Sequence, residues 1–424
     1  MKLMVVGGGG REHAIIRKLR ENPEVKTLYA LPGNAGIAQD AEIVPIPATD
    51  LDRIVHFAEE KKIDFAVIAP DDPLAMGLVD RLHEKGIACF GPDQKAAEIE
   101  SSKIFAKNLM KKYGIPTAAF EVFEDLEAAR AYVQTARVPL VVKADGLALG
   151  KGVLICATRE EALEALEAMM VEKRFGKSGT RVVIEEFLEG PEVSVLSFTD
   201  GETIVPMVSS MDHKRALDGD QGLNTGGMGT VAPNPYYTRE IAERTMREIL
   251  LPTVQAMKAE GRPFKGCLYF GLMLTKDGPK VIEYNCRFGD PETQVVLPLL
   301  KTDLLTIMRA VEDGRLKEIP VEFRDGADCC VILASGGYPE HYEKGKVIDL
   351  GRAEETAQVF HSGTALDSQG HLVTAGGRVL GVTFVSDTLK HAIEGAYRAA
   401  DQIQFEGRHL RRDIGARALK ALEE

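Results

Sequence analysis

Apolar residues in the first hundred positions fall into short runs separated by stretches with helical spacing. The run KLMVV predicts a strand from Lys2, followed by a glycine turn and a helix to about Glu21. VKTLYAL, IDFAVIA and IACF read as further strands, and DLDRIVHFAEEKK and PLAMGLVDRLHEKG as helices between them. Such alternation predicts a doubly wound parallel sheet with helices on both faces. Ligands of that fold gather at the C-terminal strand ends, here Gly7–Gly10, Pro32–Gly36 and Ala69–Pro73.

The pattern changes near Ser101. A helix is expected over Lys103–Tyr113, then strands in AAFEVF, VPLVVKAD and GVLICA around helices at Leu126–Thr135 and Arg159–Val171. RVVIEEFLEGPEVSVLSF and ETIVPMVSS supply more strand, and a long helix runs from Thr238 to about Glu260. GCLYFGLMLT and VIEYNCRF flank KDGPK, and Asp-Gly between alternating strands signals a hairpin. From about Asp325 short strands (ADCCVILAS, VTAGGRVLGVTFVS) precede a last helix near Leu389–Ile403. No internal repeat or low-complexity segment interrupts the chain.

A length of 424 residues implies several domains. The net charge of −12 argues against nucleic acid as a partner, though not against small anions held by local cations and backbone N–H groups. No apolar run reaches the roughly 20 residues of a membrane span, and the N-terminus lacks a secretory signal's apolar core. The six cysteines have no metal-ligand spacing and sit mostly in apolar runs, as free thiols of a cytoplasmic protein do.

Candidate chemistry concentrates in five places. Gly7–His13 follows a strand and opens a helix, as phosphate-binding turns do; a G-x-G-x-x-G dinucleotide fingerprint fails, because Glu12 or His13 stands at its third glycine. Gly146–Gly152 has three residues between Gly146 and Gly150 where a P-loop needs four, and Gly152 where it needs a hydroxyl. With Lys143 before it and Lys151 within it, this loop reads instead as a flap over a triphosphate. Ile184–Leu188 resembles an adenine hinge, with Glu192 placed for a ribose. Period two puts Glu283, Asn285 and Arg287 on one strand face and Ile282, Tyr284 and Cys286 on the other. Glu283 and Asn285 then offer oxygens for Mg²⁺ and Arg287 a charge for phosphoryl transfer. Asp212–Arg215 and Asn224–Gly229 lie in a long polar stretch read as a substrate loop. A solvated strand face, a plain tight turn or an edge lysine is the bland reading of each motif taken singly.

Together, GGGREHA, PGNAG, KADGLALGKGV, IEEFLEG, DHKR, NTGGMG, IEYNCRFGDPETQ, GGYP and RRDIG resemble, in order and spacing over essentially the whole chain, the phosphoribosylamine–glycine ligase family of the ATP-grasp ligases. The resemblance implies an α/β and α+β multidomain protein: an N-terminal doubly wound domain over 1–100, an ATP-grasp core of two lobes over 101–324 with its lid at about 120–188, and a C-terminal β-rich domain over 325–424. It implies an enzyme of purine biosynthesis that uses ATP and Mg²⁺, with Mn²⁺ able to substitute, to join glycine to 5-phosphoribosylamine through an acyl phosphate. It implies that Lys103, Lys143, Gly146, Gly150, Lys151 and Gly152 meet ATP phosphates, Glu185, Glu186, Phe187 and Leu188 adenine, and Glu192 the ribose. Glu283 and Asn285 are the implied metal ligands, and Arg287 and Asp212 the catalytic pair. Gly10, Arg11, Glu12, Asn34, Asp212, Thr225, Gly226, Gly227, Arg287, Asp290, Pro291 and Glu292 are the implied substrate contacts. The expected state is a cytoplasmic monomer or homodimer without nucleic-acid or membrane partners.

The chain departs from the family at Ala69-Pro70-Asp71, where Gly-Pro-Glu is usual, at Leu149 for alanine, and at Leu223 for proline. Another ATP-grasp ligase or carboxylase is the near rival, opposed by PGNAG and RFGDPE. A non-catalytic nucleotide-binding protein is opposed by the presence of both phosphate lysines and both metal ligands, and a nicotinamide oxidoreductase by the broken fingerprint.

Overall fold

The computed structural model describes residues 1–147 and 152–423. Its N-terminal sheet contains β1 (Lys2–Gly7), β2 (Thr27–Pro32), β3 (Glu42–Ile43), β4 (Phe65–Ile68) and β5 (Ala88–Phe90), all parallel in the order β3-β2-β1-β4-β5. Alternation along β1 shows why both faces are covered. Leu3 and Val5 join Ile15, Ile16 and Leu19 of α1 (Gly10–Arg20), whereas Met4 and Val6 join Leu51, Ile54 and Val55 of α2 (Leu51–Lys61). The helix expected after Pro73 is two, α3 (Asp71–Ala75) and α4 (Leu78–Glu84), because Gly77 turns between them at φ 88°. Two short elements escaped the sequence pattern: β3, and α5 (Gln94–Ser101), which the Asp93 carboxylate caps at Ala96 N. Next, α6 (Lys103–Tyr113) begins under the Ser102 hydroxyl and ends at left-handed Gly114.

The second sheet is antiparallel, in the order β6-β9-β7-β8, from β6 (Phe120–Phe123), β7 (Leu140–Ala144), β8 (Val153–Cys156) and β9 (Val182–Glu186). Its core is its own, with Leu140, Val142 and Ile184 packed on Ala129, Val133, Ala162 and Leu166 of the flanking helices. The chain continues through β10 (Glu192–Asp200) and β11 (Ile204–Pro206). The stretch expected to be a loop then contains β12 (Met211–Asp212), the hairpin β13 (Arg215–Leu217) with β14 (Gln221–Asn224), and β15 (Gly229–Ala232). Its polar residues and glycines build strand edges and tight turns rather than irregular chain. The expected long helix is present over Arg239–Ala259, with one wider turn at Met246–Leu250 that absorbs Pro252 at the start of its last segment.

Strands β16 (Lys265–Thr275) and β17 (Gly278–Asn285) complete the sheet β11-β10-β16-β17. Register slips between them, since Gly271 faces Glu283 but Leu272 faces Val281. Ile282 is therefore a bulged extra residue. This corrects the strict alternation: Tyr284 and Cys286 are buried, but Ile282 lines the same recess as Glu283.

In the last part come β18 (Ala327–Ser335), β19 (Gln358–His361), the hairpin β20 (Thr364–Leu366) with β21 (Leu372–Thr374), then β22 (Arg378–Ser386) and β23 (Arg408–His409). The C-terminal sheet runs β12-β15-β18-β22-β19, with β23 also on β18, so two of its strands come from the middle of the chain. Among the described residues all six cysteines are buried and free, and no helix is long and apolar enough to cross a membrane.

Candidate functional site

One helix and one strand bring cations to a single buried carboxylate. Lys103 and Lys107 lie one turn apart on α6, Lys143 ends β7, and Glu185 comes from β9. Glu185 receives Lys143 Nζ at 3.0 Å on one oxygen and Lys107 Nζ at 3.3 Å on the other. Lys107 also donates to Thr117 Oγ1 at 2.7 Å. Burial brings its pKa down to about 8, against the pull of Glu185. Lys103 is likewise lowered by burial, which Glu283 opposes, and donates to Gly146 O at 2.6 Å. Asp145 lies at the same joint, accepting from Ser102 Oγ at 3.1 Å and Arg181 at 2.6 Å. Gly152 O pairs with Ala144 N at 2.8 Å; Gly150, Lys151 and Leu149 lie outside the described residues.

The hinge residues divide. The Glu185 carboxylate serves the two lysines, and that of Glu186 accepts from Ala119 N at 3.0 Å with Lys280 nearby at 3.5 Å. Phe187 and Leu188 continue past β9, half-buried.

Next to this cluster is a recess lined by Glu192, Ser194, Asp212, Lys214, Tyr269 and Glu283. Lys214 Nζ stands 3.7 Å from Glu192 and 3.6 Å from Glu283. Burial works to raise the Glu283 pKa, but Lys214, Lys143 and Lys103 outweigh it and lower it. Asp212 is the opposite case, raised well above the carboxylate range by burial and by Glu292, despite Lys214 and Arg378. Its Oδ1 accepts from His213 N at 2.8 Å. Glu292 accepts from Tyr269 OH at 3.1 Å, and Tyr269 pairs with Ser194 at 2.8 Å.

The proposed metal ligands fit their task by donor chemistry. Asn285 spends its N–H on Glu100 at 3.1 Å, which keeps its carbonyl oxygen as a donor beside the Glu283 carboxylate. Among the described residues no group of three or more His, Cys, Asp or Glu side chains is placed to hold a metal. Mg²⁺ shared with a polyphosphate needs only one or two protein oxygens. Arg287, beyond β17, reaches Glu100 at 3.1 Å; burial disfavours its charge, but Glu100 and Asp71 hold it protonated. Asp71, where the family usually has glutamate, thus acts on this arginine.

Gly10, Arg11, Glu12 and Asp290, among the expected substrate residues, meet at the start of α1. Glu12 accepts from Gly9 N and from Arg11 Nε, both at 2.7 Å. Arg11 donates to Phe288 O at 3.1 Å and, through its backbone N–H, to Asp290 at 3.4 Å. A Cβ on Gly10 would stand 2.7 Å from both Gln294 Nε2 and Ser362 Oγ, so any larger residue would have to displace these two side chains. Asn34 donates to Gly8 O and His361 O and accepts from Gly36 N and Ile37 N, which fully commits its amide to holding the turn. Burial opposes the Asp290 charge, but Arg378 and Arg11 keep its pKa low. Thr225 Oγ1 donates to Lys214 O at 2.8 Å and accepts from Gly227 N at 2.9 Å. Gly227 has φ 121°, and a Cβ there would meet Pro291 Cδ at 2.5 Å and Asp212 at 2.6 Å. Arg378 donates to Gly226 O at 2.9 Å and Asp290 O at 2.8 Å.

Sequence reasoning held Lys214 only as part of the Asp212–Arg215 loop and passed over Lys107, Glu100, Gln294 and Arg378 as individual residues. The four-residue step from Lys103 to Lys107 was a usable signal, because it places both on one helix face. Nothing local marks Arg378.

Family models match the chain in three consecutive pieces: the phosphoribosylglycinamide synthetase N domain at residues 1–100, its ATP-grasp (A) domain at 101–293, and its C domain at 328–417. A phosphoribosylamine–glycine ligase of Halalkalibacterium halodurans is 48% identical over 99% of this chain and 97% of its own. The crystal structure of the Thermotoga maritima phosphoribosylamine–glycine ligase is similar at a TM-score of 0.87 and 37% identity, covering 98% of this chain and 100% of that one. The biotin carboxylase domain of Hydrogenobacter thermophilus 2-oxoglutarate carboxylase, solved with MgADP, has a TM-score of 0.73 at 18% identity over 96% of this chain and 91% of that one, a likeness of fold alone.

Proposed function

Because the chain belongs to the phosphoribosylglycinamide synthetase family, we propose that it is an ATP-hydrolysing carbon–nitrogen ligase joining glycine to 5-phosphoribosylamine through glycyl phosphate. The product is glycinamide ribonucleotide, released with ADP and phosphate. The observation that carries the reading is the convergence of Lys103, Lys143 and Lys214 on Glu283, beside the recess that holds Asp212.

In this reading a glycine carboxylate oxygen attacks the γ-phosphorus and ADP leaves. The amine nitrogen then attacks the acyl carbon, phosphate departs, and the nitrogen gives up a proton. Lys103 and Lys143 bind the phosphates under the flap of Gly146–Gly152, including Gly150 and Lys151. Glu185, Glu186, Phe187 and Leu188 face adenine, the latter two through their backbone, and Glu192 takes the ribose. Arg287 stabilises charge on the transferring group. Asp212, its pKa raised, accepts the amine proton. Gly10, Arg11 and Glu12, with the turn that Asn34 holds, receive phosphoribosylamine; Thr225–Gly227 and Asp290–Glu292 close the glycine side. Glu283 and Asn285 would hold Mg²⁺, or Mn²⁺ in its place, to neutralise phosphate charge. We divide the chain at 1–100, 101–324 with the lid at about 120–188, and 325–424, and place it in the cytoplasm as a monomer or homodimer.

Phosphate release from MgATP is the test, with glycine and phosphoribosylamine added singly and together. Release should need both and match glycinamide ribonucleotide formed. With hydroxylamine replacing the amine, glycine hydroxamate should accumulate; ligation without hydroxamate rules out a free acyl phosphate. Turnover indifferent to phosphoribosylamine assigns the chain another amine.

A further inference from the structure

Two segments have no part in this chemistry, His213 and the tail Arg411–Gly415, yet they are tied to one another. The hairpin β13–β14 leads directly from Lys214 to Thr225, and its own pairing is slight. Arg215 faces Asn224 and Leu217 faces Gln221 across a register slip, while Leu217 and Leu223 are exposed. A two-stranded ribbon of this kind is marginal in water, so something else must fix it.

The tail supplies that support. Arg411, only 1% exposed, donates to Arg215 O at 3.1 Å and Asp220 Oδ1 at 3.0 Å. It also grips Asp413 with two bonds of 2.8 Å, and Asp413 in turn accepts from Gly219 N at 2.8 Å. Asp218 accepts from Arg412 N at 2.7 Å. His213 closes the far end. Its Nδ1 lies 3.0 Å from Gly229 O and must carry the proton, leaving Nε2 to accept from Gly415 N at 3.1 Å. Only the neutral ring makes both bonds, and burial, which lowers its pKa to about 4, keeps it so.

We infer that Arg411 and Asp413 form a positioning clamp that fixes the β13–β14 hairpin and so holds Lys214 and Thr225 in register with Asp212. The inference rests on the reading that these residues form the glycine and amine site. A planar guanidinium bonding one backbone carbonyl and two carboxylates sets distance and angle together, which a lysine cannot do.

The test uses the full-length chain with Arg411→Lys, Asp220→Asn, Arg412→Lys and Asp212→Asn. Each is assayed for kcat, glycine KM, phosphoribosylamine KM and the equilibrium Kd of MgATP. Arg411→Lys and Asp220→Asn should raise the glycine and amine KM about tenfold, since small displacements of positioned groups cost factors of that order or more, and leave the nucleotide Kd unchanged. Arg412→Lys, whose side chain pairs with Asp401 at 2.8 Å and lies 5.8 Å over the Tyr397 ring without touching the hairpin, keeps the charge and should change nothing. If Arg411→Lys does not fold, Asp220→Asn decides, its side chain being 40% exposed. Unchanged substrate KM in the folded variants overturns the clamp, as does an equal loss for all three ligands. Asp212→Asn is the reference: if it leaves both kcat and the substrate KM values unchanged, the site assignment falls and the clamp with it. An effect there with none from Arg411→Lys and Asp220→Asn overturns the clamp alone.

Discussion

Replacing Glu185 by glutamine should damage the empty protein more than the nucleotide-bound one, and more at neutral than at alkaline pH. Glu185 is 5% exposed at its side chain and lies between Lys143 at 3.0 Å and Lys107 at 3.3 Å. At an effective dielectric near 20, each pair is worth about 5 kcal/mol of Coulomb attraction. Most of that offsets the cost of dehydrating three charges, and removing one member of a buried pair costs about 3 kcal/mol net. At roughly 2–4 °C per kcal/mol, melting of the apoprotein should fall by about 6–12 °C.

The pH dependence follows from Lys107. Its folded pKa of about 8 lies below the ordinary lysine value of 10.5, so between those values the unfolded chain binds more protons and stability rises with pH. Glutamine removes the carboxylate that supports the ammonium, and Lys107 must then titrate lower still. The deficit of Glu185→Gln relative to wild type is therefore full only below the variant's lowered Lys107 pKa, narrows as pH rises from there to about 8, and is smallest above it, where Lys107 is neutral in both proteins. MgATP should narrow it too, by returning negative charge to the lysines. Thermal melts of both proteins at pH 7 and 9.5, with and without MgATP, decide the matter. A deficit independent of both pH and nucleotide would refute the reasoning, because it would mean the three side chains are not coupled electrostatically.

Lys103→Met should raise the KM for ATP tenfold or more, on the order of one lost charge-assisted contact, with the glycine KM unchanged in steady-state kinetics; an equal rise in both would remove Lys103 from the phosphate site. Asp212→Asn should lower kcat about a hundredfold and abolish the acidic limb of the pH–rate profile, which in wild type lies above the usual carboxylate range because burial and Glu292 raise the Asp212 pKa. A surviving limb would belong to another group. Asp328 is fully buried, both its oxygens lack a partner among the described residues, and burial raises its pKa well above 3.8. Its cost to the fold therefore appears as pH rises above the unfolded value, and Asp328→Asn should be stabilising by about 1–3 kcal/mol at pH 8 and by less at pH 5, read as the difference in melting temperature.

The parallel N-terminal sheet was legible because each strand is a short apolar run between helical spacings, and Leu3 to Val6 serve two cores in strict alternation. Period two also found Glu283 and Asn285, but it failed at Ile282, since a bulge depends on the partner strand and leaves no mark on its own residues. The stretch from Asp212 to Gly229 read as loop for a related reason. Its strands are two to four residues long, too short for any period to show, and they exist because β18 and the tail Arg411–Gly415 are there to receive them. Asn34 was expected as a substrate contact, and its amide bonds Gly8 O and His361 O, holding the turn that carries it. Residue type located it, and only geometry shows these bonds.

This distribution of contacts has a consequence for an acyl phosphate. The proposed intermediate would have to be kept from water while the amine arrives, which calls for one wall that is fixed and one that closes. The amine side is fixed from the far end of the chain: Arg378 bonds the carbonyls of both Gly226 and Asp290, His361 O receives Asn34, and Arg411 holds the hairpin. The nucleotide side belongs to a lobe with a separate sheet and a separate core. Lys103 and Asp145 meet at its joint with α6 through Gly146 O and Ser102. On the proposed reading, closure of that lobe would change the contacts of Lys103 and Lys143 without disturbing the amine wall. The C-terminal β-rich part is on this argument not an appendage to the ligase core but the half of the site that must not move.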